Sequence, residues 1–254
     1  MTDKHKILPS GWQLCIYDTA TSTSDIIASH PALSEGLCIV AREQTKGRGR
    51  RGRQWLSAID DGLYLSVALQ PQRPQSEWPS LSFISALAML DAINHLAPNL
   101  NAGLKWPNDI LADGGKISGL LLEAHGDMIL LGCGVNLRNA PPTADAAFAP
   151  ADIASLSGQI ITPEELADAF LERLHPFYDR WQISGFSAFY DLYKSKLLFL
   201  GQTITVRQDK ITLTGKLHDI ANDGALMLKT DNDEILTVTA GDVNLMGRFD
   251  ASGD

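Results

Sequence analysis

The 254-residue sequence predicts an α+β fold, a mixed β-sheet with flanking helices followed by a small β-barrel. Two observations carry this. Apolar periods of two and of three to four alternate through the first 197 residues, and after Leu198 only the period of two remains. The expected division is therefore an α+β domain at 1–197 and a small barrel at 198–254.

The elements follow in order. Residues 12–17 (WQLCIY) and 36–42 (GLCIVAR) are apolar strands, and the Thr21–Asp25 cluster opens a short helix between them. Leu63, Leu65, Val67 and Leu69 alternate with Tyr64, Ser66 and Ala68, which predicts a half-buried strand ended by Pro71 and Pro74. From Ser80, Ile84, Leu87, Leu90 and Ile93 recur at helical spacing, with Pro79 and Ser80 as start chemistry and Pro98 as the close. Residues 104–106, 117–123 and 128–133 read as three strands, separated by turns at Pro107-Asn108-Asp109, Asp113-Gly114-Gly115 and Gly126-Asp127.

A loop rich in proline and alanine spans 139–150, and Thr162-Pro163-Glu164-Glu165 is a capping box with proline at the first helical position. Leu166, Phe170, Leu174, Phe177 and Trp181 follow at spacings of four, four, three and four, a stripe that packs on a core rather than holding a cofactor. A second aromatic helix runs through Phe186, Phe189, Tyr190 and Tyr193. Residues 203–206, 211–217, 225–228 and 235–238 are the strands of the barrel, with Asn222-Asp223-Gly224 as a hairpin turn.

Composition narrows the function. With 44% hydrophobic and 20% charged residues, disordered and fibrous classes are excluded. No apolar run reaches the roughly 18 residues of a membrane span, and the opening MTDKHKILPSGW lacks a secretory layout, so a cytoplasmic protein without a membrane partner is expected. Cys15, Cys38 and Cys133 form no CxxC pair and are expected to be reduced core thiols. A net charge of −9 opposes a surface-wide nucleic-acid binder. Yet Lys46, Arg48, Arg50, Arg51 and Arg53 place five of the 21 basic residues within 46–53.

That run has the chemistry of a phosphate clamp. Gly47, Gly49 and Gly52 let successive amides approach an anion, and the arginines supply guanidinium forks. Its spacing fits neither GxxxxGK[ST] nor a GxGxxG that opens a helix. A solvated loop or a nucleic-acid segment are the alternatives from the residues alone. A second constellation, Lys105-Trp106-Pro107-Asn108-Asp109 with Gly114-Gly115-Lys116-Ile117-Ser118-Gly119, brings two lysines, an Asn and an Asp to glycine turns near strand ends. Gly132-Cys133-Gly134-Val135-Asn136 is a strand running into a turn with one polar amide, read equally as a simple strand exit or as a ligand contact. The Thr21–Asp25 hydroxyls either cap a helix, which is the favoured reading, or bind a neutral polar ligand. The six histidines show no ligand spacing, and no Ser-His-Asp set suggests a nucleophile.

Taken together, GRGRRGRQW at 47–55, KWPNDIL and GGKISGLLLE within 105–123, and GCGVNL at 132–137 resemble the biotin protein ligases in order and spacing. Gly241-Asp242-Val243 is similar to that family's closing segment, so the resemblance spans about residues 12–247. It implies a catalytic domain of the class II aminoacyl-tRNA synthetase-like, biotin–lipoate ligase type and an SH3-like C-terminal barrel. It also implies a two-step reaction: biotin and MgATP give biotinyl-5′-AMP and pyrophosphate, and a lysine of a biotin carboxyl carrier protein then takes the biotin.

By motif, the resemblance implies Arg50, Lys116 and Asp109 as catalytic residues, with Asp109 orienting or deprotonating the incoming amine. Ser22, Thr23, Ser24, Gln44, Arg48, Gly49, Arg50 and Lys116 would bind biotin, and Gly47, Arg53, Trp55, Lys105, Asn108 and Asn136 would face ATP. Mg²⁺ would be held mainly by the ATP phosphates. Two positions depart from the family pattern: Ser24 stands where Asn is usual and Ser118 where Ala is common. With the catalytic pattern beginning by Trp12, no DNA-binding or repressor role is expected, and the state is monomer or homodimer. A lipoate ligase of the same fold is opposed by the basic loop, and a non-catalytic binding protein by the retained Arg48, Arg50, Lys116 and Asp109.

Overall fold

The computed structural model describes residues 4–56, 58–142, 148–208 and 211–245. Part of the proline- and alanine-rich loop and the closing residues of the expected barrel domain lie outside that set. Among the described residues the order is β1 (Lys4–Ile7), β2 (Gln13–Ala20), α1 (Thr23–Ala28), β3 (Leu37–Gln44), β4 (Gly62–Leu69), α2 (Leu81–Leu96), β5 (Ala102–Lys105), β6 (Asp109–Ala112), β7 (Gly115–His125) and β8 (Met128–Asn136). Then come α3 (Ile153–Ser157), α4 (Pro163–Ser184), α5 (Tyr190–Lys196), β9 (Thr203–Gln208), β10 (Ile211–Ile220), β11 (Leu226–Lys229), β12 (Ile235–Val238) and β13 (Asp242–Leu245).

The first eight strands form one sheet in the order β1-β2-β3-β4-β8-β7-β6-β5. Only β2 and β3 are parallel, because α1 is the crossover between them, and the other pairs are antiparallel. One face packs on α2 and α4, where Leu63, Leu65, Val67, Leu131 and Val135 meet Leu87, Leu90, Phe170 and Leu174. On the opposite face α1 sets Ile27 against Cys15, Ile39, Ala68 and Leu130. Further along that face, Ser66 pairs with Gly132 and Gly119 with Gly134, so the strands there present hydroxyl and glycine instead of bulk. The bare stretch is the floor of a cleft.

The second sheet is antiparallel, in the order β12-β11-β10-β9-β13. It is anchored beside the first by Trp106 Nε1, just after β5, which donates to Gly224 O at 2.9 Å, and to helix α5 by Tyr190 Oη and Lys194 Nζ on Asp219.

Several expectations are corrected. Strand β4 is buried along its whole length rather than on one face, since helices cover both sides of the sheet centre. Ser80 does not cap α2: its hydroxyl donates to Glu77 O and accepts from Trp181 Nε1, and a 3-10 turn at Gln75–Ser80 leads into the helix instead. The Pro107-Asn108-Asp109 turn delivers the chain into β6, a strand hidden in the sequence because Asp109 opens it. Strands β1 and β13 and helix α3 are additions. The capping box is formed, with Thr162 Oγ1 accepting from Glu165 N and Glu165 accepting from Thr162 N. The three cysteines are free and buried, and burial pushes the Cys38 and Cys133 thiols well above the usual range.

Candidate active site

A cavity of about 450 Å³ opens on the glycine-lined face of the large sheet. One end is neutral. Ser22, Thr23 and Ser24 are buried at the start of α1, and Gln44 ends the adjacent β3. Thr23 N donates to Gln44 Oε1 at 2.8 Å, Thr23 Oγ1 lies 2.8 Å from Ser66 Oγ, and Ser24 Oγ lies 3.3 Å from the same atom. The favoured capping reading of these hydroxyls is thus corrected: Ser22 holds the N-cap position but makes no side-chain cap bond. Short hydroxyls and one amide beside Leu121 suit a neutral ring with its own donors and acceptor.

The other end is charged. Strand pairing puts Lys105 opposite Asp109, and Asp109 opposite Gly119 of β7, three residues beyond Lys116, so two ammonium groups converge on one carboxylate from the strands on either side. Lys105 Nζ is 2.8 Å from Asp109 Oδ2, and Lys116 Nζ is 2.6 Å from Oδ1. Burial raises the Asp109 pKa, but the two lysines outweigh it and hold the carboxyl well below the usual carboxylate range. A carboxylate so held is a poor proton acceptor, which counts against the deprotonating half of its expected role and leaves the orienting half. Asn108 is clamped by its main-chain O to Leu120 N at 2.9 Å and by Nδ2 to Leu120 O. Its Oδ1 accepts from Arg50 Nη1 at 2.9 Å. Asn136 spends its amide on Lys116 O and Ala151 O, fixing the backbone that carries Lys116.

The arginine loop closes over this end as a small hairpin, with Gly49 N on Arg53 O at 2.8 Å and Trp55 N on Gly47 O at 2.9 Å. Arg48 pairs outward with Asp25 and with Glu123. Arg50 is the most enclosed arginine of the loop, and loss of water lowers its pKa, with Asp242 and Asp109 partly offsetting the effect. A guanidinium remains protonated at neutral pH even so. Arg51 and Arg53 reach Asp242 at 3.1 and 2.9 Å. The Trp55 indole lies on the floor, where Gly134 has no alternative: an added Cβ would stand 2.4 Å from the ring. The Lys116 ammonium is 5.8 Å from the same ring centroid.

Thirteen of the expected residues line the cavity: Ser22, Thr23, Ser24, Gln44, Arg48, Gly49, Arg50, Arg53, Trp55, Asn108, Asp109, Lys116 and Asn136. Two do not. Lys105 is buried behind the wall, its ammonium committed to Asp109 and 5.4 Å from the Phe148 ring centroid, and Gly47 lines a more open recess on the loop. Sequence reasoning missed Ser66, whose hydroxyl is hidden in an apolar alternation, and Phe148, which stacks on Phe199. It also missed the part of Asp242. The floor glycines Gly119, Gly132 and Gly134 stood within quoted motifs but carried no separate signal. Among the described residues no three His, Cys, Asp or Glu side chains gather as a metal site.

Comparison with known proteins agrees with this geometry. Residues 16–136 match the biotin/lipoate A/B protein ligase family, and residues 199–246 match the biotin protein ligase C-terminal domain. A biotin–[acetyl-CoA-carboxylase] ligase of Paracoccus denitrificans is 33% identical over 224 residues, covering 83% of this chain and 91% of that one. Its namesake from Mycobacterium tuberculosis is 32% identical, covering 92% and 90%. The biotin protein ligase of Aquifex aeolicus, solved in complex with biotin and ATP, superposes with a TM-score of 0.82 at 27% identity, covering 91% of this chain and 97% of that one. With two family matches and relatives of this extent, the chain belongs to the biotin/lipoate A/B protein ligase family, on its biotin protein ligase branch.

Proposed function

We propose that the protein is a biotin–[acetyl-CoA-carboxylase] ligase, which joins biotin to AMP and then passes it to a lysine of a biotin carboxyl carrier protein. The observation that carries this reading is the polarity of one cavity, neutral hydroxyls and an amide at one end and a lysine–arginine set at the other. A ligand with a neutral ureido ring and a carboxylate tail matches both ends. The relatives' names and the biotin and ATP of the Aquifex complex support it independently.

In the first step a biotin carboxylate oxygen bonds to the α-phosphorus of ATP and pyrophosphate leaves. Ser22, Thr23, Ser24 and Gln44 hold the ring, while Gly49, Arg50 and Lys116 hold the carboxylate and α-phosphate together against their mutual repulsion. Arg53, Trp55, Asn108 and Asn136 line the nucleotide side. Lys105 acts from behind the wall, sharing Asp109 with Lys116 so that Lys116 is aimed without being neutralised. In the second step the carrier amine attacks the acyl carbon, the bond from that carbon to the phosphate oxygen breaks, AMP leaves, and the proton lost by the amine passes to solvent. Asp109 keeps the local field in place rather than taking that proton.

Mg²⁺ would be held mainly by the ATP phosphates, where it would supply charge neutralisation for the displacement. Asp109 and Asp242, carboxylates of the cavity wall, are already engaged by lysines and arginines, and the chain offers no cage of its own among the described residues. No helix among those residues is long and apolar enough to cross a membrane; it is the use of ATP, not that absence, that favours a cytoplasmic setting.

The test incubates the protein with ATP, Mg²⁺ and biotin, then adds apo carrier domain, following pyrophosphate and carrier mass, with lipoate in parallel. A biotin-sized gain on one carrier lysine, lost in Arg50→Ala and Lys116→Ala, is expected. Absence of any acyl adenylate would refute the reading, and adenylation of lipoate alone would redirect it.

A further inference from the structure

We propose that Asp242 is a positioning residue that latches the arginine loop across the cleft, so that the acyl adenylate formed beneath it is shielded from water. This rests on the function proposed above. The latch joins parts of the chain that are remote in sequence: the loop lies between β3 and β4, whereas Asp242 opens the last strand, β13. Three guanidinium groups meet its carboxylate, at 3.6 Å from Arg50, 3.1 Å from Arg51 and 2.9 Å from Arg53. The Asp242 side chain is 18% exposed and lines the same cavity as Arg50 and Arg53. On the loop's opposite flank Arg48 is held by Asp25 and Glu123, so the hairpin is tied from both sides.

Charge arithmetic gives the latch a direction. One carboxylate cancels one of three guanidinium charges, which leaves the loop net positive toward the cavity and able to take phosphate oxygens. Arg51 is absent from the main cavity wall and lines only the recess on the loop, so it is the half of the latch that stays on Asp242 when Arg50 turns to a ligand. The arginine partners are 27–56% exposed and sit on a loop rather than in the core, so loss of these pairs opens the loop rather than unfolding the chain. What the latch prevents is attack of water on the acyl carbon: the bond to the phosphate oxygen breaks, water's hydroxyl completes biotin's carboxyl group, and its proton goes with AMP.

The experiment uses the full chain with Asp242→Asn, Asp242→Glu and Arg51→Gln. Without ligands, trypsin cleavage after Arg50 or Arg53 is expected to be several-fold faster in Asp242→Asn and in Arg51→Gln. It should be no faster in the double variant and close to wild type in Asp242→Glu. With biotin and ATP, AMP released per biotin transferred should rise several-fold in Asp242→Asn, and high salt should move the wild type toward that value. Equal cleavage rates in all variants would overturn the proposal. So would an Asp242→Asn protein with a lower KM for ATP and no extra AMP, because the carboxylate would then be a competitor for phosphate sites. If the wild type makes no adenylate, the functional reading fails while the cleavage rates still judge the latch.

Discussion

Two charged clusters meet at the cavity and are built on opposite principles. The Lys105–Asp109–Lys116 set is carried by three adjacent strands, with Lys105 only 6% exposed and both carboxylate oxygens engaged. The arginine loop carries more charge, yet its side chains are a quarter to more than half exposed and paired with carboxylates from three separate elements. Burial makes the first cluster expensive to disturb and therefore fixed in geometry. Exposure makes the second inexpensive to rearrange, which suits a lid that must open for two substrates and close over their product.

The sharpest way to break this contrast is Asp109→Asn. It leaves two ammonium groups without their carboxylate, and a loss of about 3–5 kcal/mol in denaturant unfolding is expected. The pH dependence has a defined sign. Because the folded Asp109 pKa is depressed, its stabilisation is complete above the unfolded value of about 4 and is lost as pH falls below it toward the folded value. Wild-type stability should therefore fall more steeply below pH 4 than that of Asp109→Asn, as read by melts across the acid range.

Lys116→Ala tests the fixed cluster's chemistry rather than its stability. Lys105 still neutralises Asp109, so the fold is retained while biotin-dependent pyrophosphate release drops by about 10²–10³. A smaller effect is expected at the floor that both clusters overlie. Gly134→Ala sets a methyl against the Trp55 ring and should cost about 1–3 kcal/mol with a raised KM for ATP. Gly132→Ala, whose nearest neighbour is 3.6 Å away, should leave the melting temperature close to wild type. The smallest effect belongs to the exposed side: Arg48→Gln should change stability by less than about 1 kcal/mol, and the difference should vanish at high salt. A cost comparable to that of Asp109→Asn would erase the distinction.

The same contrast explains what could be read from the sequence. The buried cluster was legible as a constellation because its members lie within 105–119 and are ordered by hairpins that turn residues announce. The arginine run was legible as an anion site, but the fate of each arginine was not. Arg48 turns outward to Asp25 and Glu123, and Arg51 and Arg53 turn to Asp242, partners whose proximity depends on the whole sheet and on how the second sheet docks. Strand β6 was hidden for a related reason: Asp109 has turn chemistry in the sequence, and the two lysines that pair with it at the start of the strand come from β5 and β7. In the sequence Ser66 marks the polar side of a half-buried strand, because nothing local reveals that α1 covers that face.

The contact between Trp106 and the β10–β11 turn bears on how the molecule folds. Trp106 is 1% exposed, and its indole N–H is received by Gly224 O, at a turn seated against the Phe83 ring. A chain cut before β9 would leave that donor without its acceptor and uncover two large aromatic rings. The two sheets are thus interdependent in stability, and the whole chain should melt in a single cooperative transition rather than as two separable folding units.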